Sequence, residues 1–305
     1  MKRILVTGSA GFIGSNLCDY LQAMGNVVLG VDDFSTGSMQ NLERFTMMGG
    51  AVENVDVRSE AHLYQCFAEI KPDSVIHLAA NASITLSEER PVNDLSINAI
   101  GTLNVINLCK KFNVKHFIFS STSAVYAETK STLHESSDIL PASPYGVSKM
   151  AAEMYIRSRM EHYVIFRFAN IYGPRQQPIG QNQLISRAIR HFKYGDEFHV
   201  NGDGKQKRDY LFVGDVIRAI NNVLSDGVKG TFNLGSGVSS SVNDVLGILE
   251  QLYDVKGYPW EHTAINDPRK NVQMNISSVK SKLGWKPATS LVEGIRCTKQ
   301  WWDER

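Results

Sequence analysis

Short apolar runs recur through the first half of the chain: ILV (4–6), VVLGV (27–31), VIHLA (75–79), FIFS (117–120) and VIFRF (164–168). Each has the length of a buried strand. Between them lie segments suited to helices, 12–24, 59–70, 94–111 and 144–161. Strand and helix in alternation predict a doubly wound parallel α/β sheet, covered on both faces by helices. After residue 170 the pattern changes: YGPRQQPIGQNQ is rich in Pro, Gly and Gln, and VNGDGKQKRDY has the turn residues of a hairpin. A smaller, loop-bearing α/β lobe is expected there. YLFV (210–213) and TFNLG (231–235) are strand-like and able to rejoin the large sheet. The expected division is therefore residues 1–170 plus about 209–240 for a nucleotide domain, and about 171–208 plus 241–305 for the lobe.

Composition narrows the function. A chain of 305 residues with 43% hydrophobic content can bury a full core. Lys plus Arg (32) nearly balance Asp plus Glu (31), so no global field draws the protein to nucleic acid or to an acidic membrane. Cys18, Cys66, Cys109 and Cys297 are scattered without a CxxC, and the eight histidines lack metal-ligand spacing. No metal is expected, and the compartment is read as reducing. The opening MKRILVTG has an apolar run of three residues, too short for a signal peptide, and no apolar stretch approaches membrane-spanning length. A cytoplasmic protein is expected.

Candidate chemistry lies at two places. Gly8, Gly11 and Gly14 fall between the first apolar run and the first helical segment, where glycines permit a tight turn, close approach of a pyrophosphate, and helix-strand packing. Their GxxGxxG spacing is one residue wider than the usual GxGxxG. Asp32 ends the second run, placed to accept from an adenosine ribose and to repel a 2′-phosphate, which favours NAD over NADP. Asp56, after the third strand, is a further candidate for the adenine edge. The second place is SPYGVSK (143–149): Ser143 suits a helix N-cap and Pro144 its first turn, so Tyr145 and Lys149 share one helical face.

With TGSAGFIG, HLAA, SSTSAVY, PYGVSK, RFANIYGPRQ, NGDGKQKRDYLFVGD and FNLGSG in this order, the sequence resembles the extended short-chain dehydrogenase/reductase family, especially its UDP-hexose 4-epimerases. The resemblance runs from Lys2 to about Trp302. It implies a Rossmann domain binding NAD and a smaller C-terminal lobe binding a nucleotide sugar. Residues implied at the cofactor are Gly8, Gly11, Phe12, Ile13, Gly14, Asp32, Asp33, Asp56, Val57, Leu78, Ala79, Ala80, Tyr145 and Lys149. By the same resemblance Tyr145 takes the proton of the sugar 4-hydroxyl, Lys149 and the positively charged nicotinamide together lower the phenol from its ordinary pKa of about 10, and Thr122, with Ser123 as its neighbour, hydrogen-bonds the reacting oxygen. Related 4,6-dehydratases carry an acidic pair in this loop and related decarboxylases a Glu. Here Thr122-Ser123-Ala124 offers no carboxylate, which fits epimerisation.

The resemblance also implies that Asn170 and Arg208 hold the substrate diphosphate, that Leu184 lines the uracil and sugar pocket, and that Arg269 replaces a basic residue usually found about four places earlier. Val272 falls where such epimerases carry either a bulky aromatic or a small residue, and a small one leaves room for an N-acetyl group. A homodimer is implied through helices 94–111 and 144–161, with Leu103, Ile106, Met150 and Met154 as apolar material. The same scaffold serves reductases and other epimerases. A non-catalytic dinucleotide-binding regulator would need the glycines but not Tyr145, Lys149 and Thr122 together.

Overall fold

Ile4, Leu5 and Val6 are wholly buried because the strand they form lies in the middle of a sheet packed on both faces. The computed structural model describes residues 1–129, 131–178, 183–224, 227–264 and 271–305. The chain divides into two units: Met1–Ala127, Asp138–Arg167 and Ile217–Phe232 form the first, and Glu128–Ser137, Phe168–Val216 and Asn233–Arg305 the second.

The first begins with β1 (Arg3–Thr7), α1 (Phe12–Ala23), β2 (Val27–Asp32), α2 (Glu43–Met47), β3 (Ala51–Asn54), α3 (Glu60–Ile70) and β4 (Ser74–His77). It continues through α4 (Ile84–Glu89), α5 (Pro91–Leu95), a π-helical segment (Ser96–Gly101), α6 (Thr102–Lys111), β5 (His116–Thr122), α7 (Pro144–Arg159) and β6 (Tyr163–Phe168). Farther along are β7 (Asn170–Tyr172), α8 (Leu184–Tyr194), β8 (His199–Asn201), β9 (Lys207–Phe212), α9 (Val213–Val223) and β10 (Gly230–Leu234). The chain ends with β11 (Ser239–Ser241), α10 (Val242–Leu252), β12 (Glu261–Thr263), α11 (Ser277–Leu283) and α12 (Leu291–Asp303).

Among the described residues the large sheet has seven strands in the order β10-β6-β5-β4-β1-β2-β3. Leu5 pairs in parallel with Leu29 of β2 on one side and Val75 of β4 on the other. The chain runs outward from β1 to β3 and then returns to β4, so the strand order reverses between β1 and β4. Such a switch point opens a crevice at the carboxyl ends of the two strands, where doubly wound folds bind ligands. Leu63 and Phe67 of α3, Val105 and Ile106 of α6, and Ala152 and Ile156 of α7 pack with Leu5, Val75 and Phe119 into one core.

Three expectations change. The segment 94–111 is not one α-helix: a π-helical turn separates α5 from α6. The Thr102 hydroxyl donates to the Asn98 carbonyl at 2.6 Å, and Gly101 lies where a Cβ would meet Val57 at 2.6 Å, so local side-chain bonding and close packing shape this turn. YLFV does not rejoin the large sheet, whereas TFNLG does, as the edge strand β10. VNGDGKQKRDY forms no hairpin, because its two strands find different partners. In the second unit, β8 pairs with β12, and β9 sits between β7 and β11. The turn between them, with Gly202 and Gly204 at φ of 64° and 72°, is held to α10 by the Asn243 amide, which donates to the Asp203 carbonyl at 3.0 Å. Ile185, Ile189, Val245, Leu249, Ile295 and Trp302 form that unit's core.

Candidate active site

Where the chain passes from β1 into α1, two positions have no room for a side chain. Gly8 adopts φ +69°, and a Cβ there would stand 2.7 Å from the Ala79 nitrogen; one at Gly14 would stand 2.0 Å from the Gly8 carbonyl oxygen. Both glycines are required by close approach of backbone to backbone. α1 starts with Gly11 as its N-cap and no side chain capping it, so the first-turn N–H groups of Phe12, Ile13 and Gly14 have no intrahelical acceptor and no capping acceptor. The positive end of a helix with free first-turn amides is suited to an anion. Leu78, Ala79 and Ala80 follow β4 beside it, with the Leu78 amide donating to the Thr7 carbonyl at 3.1 Å.

Asp32 closes β2 and is buried. Its two oxygens accept the amides of Ala10 and Phe34, each at 2.8 Å. Burial raises its pKa, the two amide bonds oppose the rise, and Asp33 adds to it. Carboxylate lone pairs remain beyond these two bonds for a ribose hydroxyl. Asp33 is exposed and accepts from Ser35, while Asp56 is held below the usual carboxylate range by the hydrogen-bonded Arg58 guanidinium. Val57, next to it, is buried against Gly101. A tight glycine turn, an uncapped helix start and a buried acid at the next strand end fit a dinucleotide.

The second cluster joins β5 to α7. Ser143 accepts the Gly146 amide at 3.2 Å as the N-cap, and Pro144 occupies the first turn. A Cβ on Gly146 would stand 2.4 Å from the Ala124 carbonyl oxygen, so a glycine there lets α7 press onto the turn that carries Thr122. Thr122 accepts the Ala124 amide at 3.1 Å and hydrogen-bonds the Tyr145 phenol. Ser123 begins the short 3-10 turn that follows. Tyr145 is half-buried as a residue, yet desolvation of its hydroxyl pushes the pKa up to about 12; the Thr122 bond pulls it down and the Asp94 charge pushes it up.

Lys149 is buried one turn further along, its Nζ 4.2 Å from the centre of the Phe119 ring. Burial brings it down to about 7, opposed by the charges of Glu153 and Asp94. Sequence reasoning missed Asp94, together with its partners Asn81, Asn98 and Ser148. Their one signal was a set of polar residues interrupting otherwise helical runs.

In the second unit Asn170, Arg208 and Val272 gather around β9. Asn170 of β7 pairs with Tyr210, Arg208 is buried in β9 itself, and the Val272 amide donates to the Lys207 carbonyl at 3.0 Å. Leu184 opens α8, half-buried against the core of that unit. Arg269 lies outside the described residues. Among the described residues no group of three or more His, Cys, Asp or Glu side chains could hold a metal, and no helix is long and apolar enough to cross a membrane.

A parallel sheet with a glycine turn at its switch point, followed by a half-buried Tyr and a buried Lys on one helix face, defines the class: a dinucleotide-dependent enzyme of Rossmann type. Residues 4–235 match the model of the NAD dependent epimerase/dehydratase family, and the chain belongs to that family. Its cofactor is NAD. A putative UDP-glucose 4-epimerase of Methanocaldococcus jannaschii is 34% identical over 311 residues, covering 98% of this chain and 97% of the relative. The crystal structure of UDP-glucose 4-epimerase from Thermotoga maritima with UDP-glucose matches with a TM-score of 0.92 at 34% identity, covering 99% of this chain and 98% of that one. The UDP-N-acetylglucosamine 4-epimerase of Methanobrevibacter ruminantium, in complex with UDP-N-acetylmuramic acid, matches with a TM-score of 0.91 at 31% identity, covering 99% and 98%.

Proposed function

We propose that the protein is a 4-epimerase of UDP-hexoses, with UDP-GlcNAc and UDP-GalNAc among its substrates. The observation that carries the reading is the Thr122 loop: it presents a hydroxyl, hydrogen-bonded to Tyr145, and no carboxylate with which to run an elimination or a decarboxylation. Bound NAD supplies a reversible hydride acceptor, so the reaction is redox-neutral overall.

Gly8, Gly11 and Gly14 with the first turn of α1 hold the pyrophosphate, and Asp32 takes the adenosine ribose. Tyr145 is the general base toward the sugar 4-hydroxyl and returns the proton in the second half-reaction. Thr122 donates at the reacting oxygen, and the Lys149 ammonium on the same helix face favours the phenolate by its charge. Asn170 and Arg208 take the diphosphate, for which a guanidinium fork is well matched. Val272 leaves space at C2 of the sugar.

The test is parallel assay of UDP-Glc and UDP-GlcNAc with catalytic NAD, each separated from its 4-epimer by chromatography. Both are expected to equilibrate without net NADH. A stoichiometric build-up of NADH, or a strict need for NADPH, overturns the reading. Val272→Tyr is expected to depress the N-acetylated pair selectively, with an overpacking cost of about 1–3 kcal/mol. Equal loss on both substrates would remove Val272 from the sugar site.

A further inference from the structure

Behind the catalytic helix lies a cluster of buried polar side chains that the reaction as described does not use. Asp94 of α5 is wholly buried. One carboxylate oxygen accepts the Ser148 hydroxyl at 2.5 Å; the other accepts the side-chain amides of Asn81 at 2.8 Å and Asn98 at 3.1 Å. These three donors are neutral and satisfy the carboxylate as an acceptor; burial raises its pKa, and the three bonds together with the Lys149 charge oppose the rise. Ser148 also lies 3.0 Å from the Tyr145 carbonyl oxygen and immediately precedes Lys149. The cluster thus grips the first turns of α7 at the catalytic pair.

Lys149 meets charged or titratable groups from several elements. Asp94 faces it from α5, Glu153 from one turn on in α7, and His77 from β4, held neutral by burial at about 3. Tyr145 precedes it by one turn. The Glu153 charge is already met: Arg167 donates to it at 2.9 and 2.7 Å, Arg157 at 2.7 Å, and Ser121 at 2.5 Å. Asp94 has no such guanidinium among its hydrogen-bond partners. A buried ammonium is costly without an opposing charge, and Asp94 supplies one.

We propose that Asp94 is a positioning residue for the Tyr145 and Lys149 pair: through Ser148 it anchors the start of α7, and its charge adds to that of Glu153 in favouring the buried Lys149 ammonium. The kinetic part of this inference rests on the epimerase reading; the titration of Lys149 does not.

Asp94→Asn keeps the shape and removes the charge. In protein carrying ¹³Cε-lysine, the Lys149 signal, assigned by its loss in Lys149→Met, is followed against pH by NMR. It is expected to titrate at lower pH in Asp94→Asn than in the unsubstituted protein. kcat is expected to fall about tenfold at pH 8 and less than about twofold at pH 6, with KM unchanged, since each unit of displacement is a tenfold change in ionisation. A carboxylate serving packing alone would lower the melting temperature at every pH and leave the Lys149 titration where it was; that result overturns the proposal. Should Asp94→Asn fail to fold, Ser148→Ala tests the anchor with the charge retained. Its kcat is expected to fall about tenfold at all pH values, the size of a lost positioning contact, with the Lys149 titration unmoved, and an unaltered kcat overturns the proposal. A displaced Lys149 titration in a protein inactive on every UDP-hexose would refute the epimerase reading and leave the role of Asp94 standing.

Discussion

Tyr145→Phe removes one hydroxyl and almost no volume, so its effect isolates the chemistry of that oxygen. Turnover is expected to fall by about 10²–10⁴-fold, the usual contribution of a general acid-base group, while NAD affinity measured by calorimetry stays within about twofold. Undiminished turnover would make the helix start purely structural. His77 is a second residue whose environment decides its behaviour. The Thr102 hydroxyl donates to the Asn98 carbonyl, so the Thr102 oxygen receives the His77 Nε2–H at 2.9 Å, and His77 Nδ1 accepts the Thr7 hydroxyl at 2.6 Å. One neutral tautomer satisfies every bond. Burial, aided by the Lys149 charge, lowers His77 from 6.5 to about 3. The unfolded chain therefore binds one more proton than the folded protein between these values, and the contribution present above about 6.5 is lost as pH falls toward 3. In urea titrations the stability advantage over His77→Asn is expected to shrink below pH 6.5 by up to about 1.4 kcal/mol per unit. A constant difference would show that His77 titrates normally. The helix start that carries Tyr145 and Lys149 and the strand end that carries Asp32 were readable from capping residues and apolar runs. The burial that sets their charge states was not, because desolvation depends on neighbours distant in the chain.

At the scale of elements, α7 shows propensity and packing pulling in opposite directions. Alanine is favoured over glycine inside a helix by about 1 kcal/mol. At Gly146, however, the added Cβ would stand 2.4 Å from the Ala124 carbonyl oxygen. The contact is with backbone and cannot be relieved by a rotamer change, so Gly146→Ala is expected to lower both melting temperature and turnover as α7 backs away from the Thr122 turn. A higher melting temperature in this variant would show that propensity wins. The same contrast explains which elements were legible. β1, β2, β4, β5 and β6 are apolar runs with one available fate, whereas the π-helical turn at Ser96–Gly101 depends on the Thr102 hydroxyl and on Val57 in another element. The β9 strand reads locally as a strand; which sheet it joins is a matter of long-range pairing with β7 and β11.

For the whole molecule, the apolar residues expected at a homodimer contact are only in part exposed. Ile106 is wholly buried in the first unit's own core and Leu103 is half-buried, while Met154 is 60% exposed. Val92 (81%), Ile100 (52%), Val147 and Tyr155 are also exposed, on α5, the π-helical segment and α7, which contact one another. An apolar face of this kind is suited to a second copy of the chain. Light scattering at micromolar concentration is expected to give twice the chain mass, and Val92→Lys combined with Met154→Lys to give monomer. Monomer in the unsubstituted protein would remove the dimer. By itself the sequence determined the alternating strands and helices, the glycine turn and the Tyr-Lys helix, because each rests on period, spacing or a local conformational demand. Only the tertiary structure decided that β9 leaves the large sheet, that Ile106 faces inward, and that Asp94 stands buried beside Lys149. Those outcomes depend on which surfaces meet, and burial and charge coupling arise only once residues far apart in the chain are brought together.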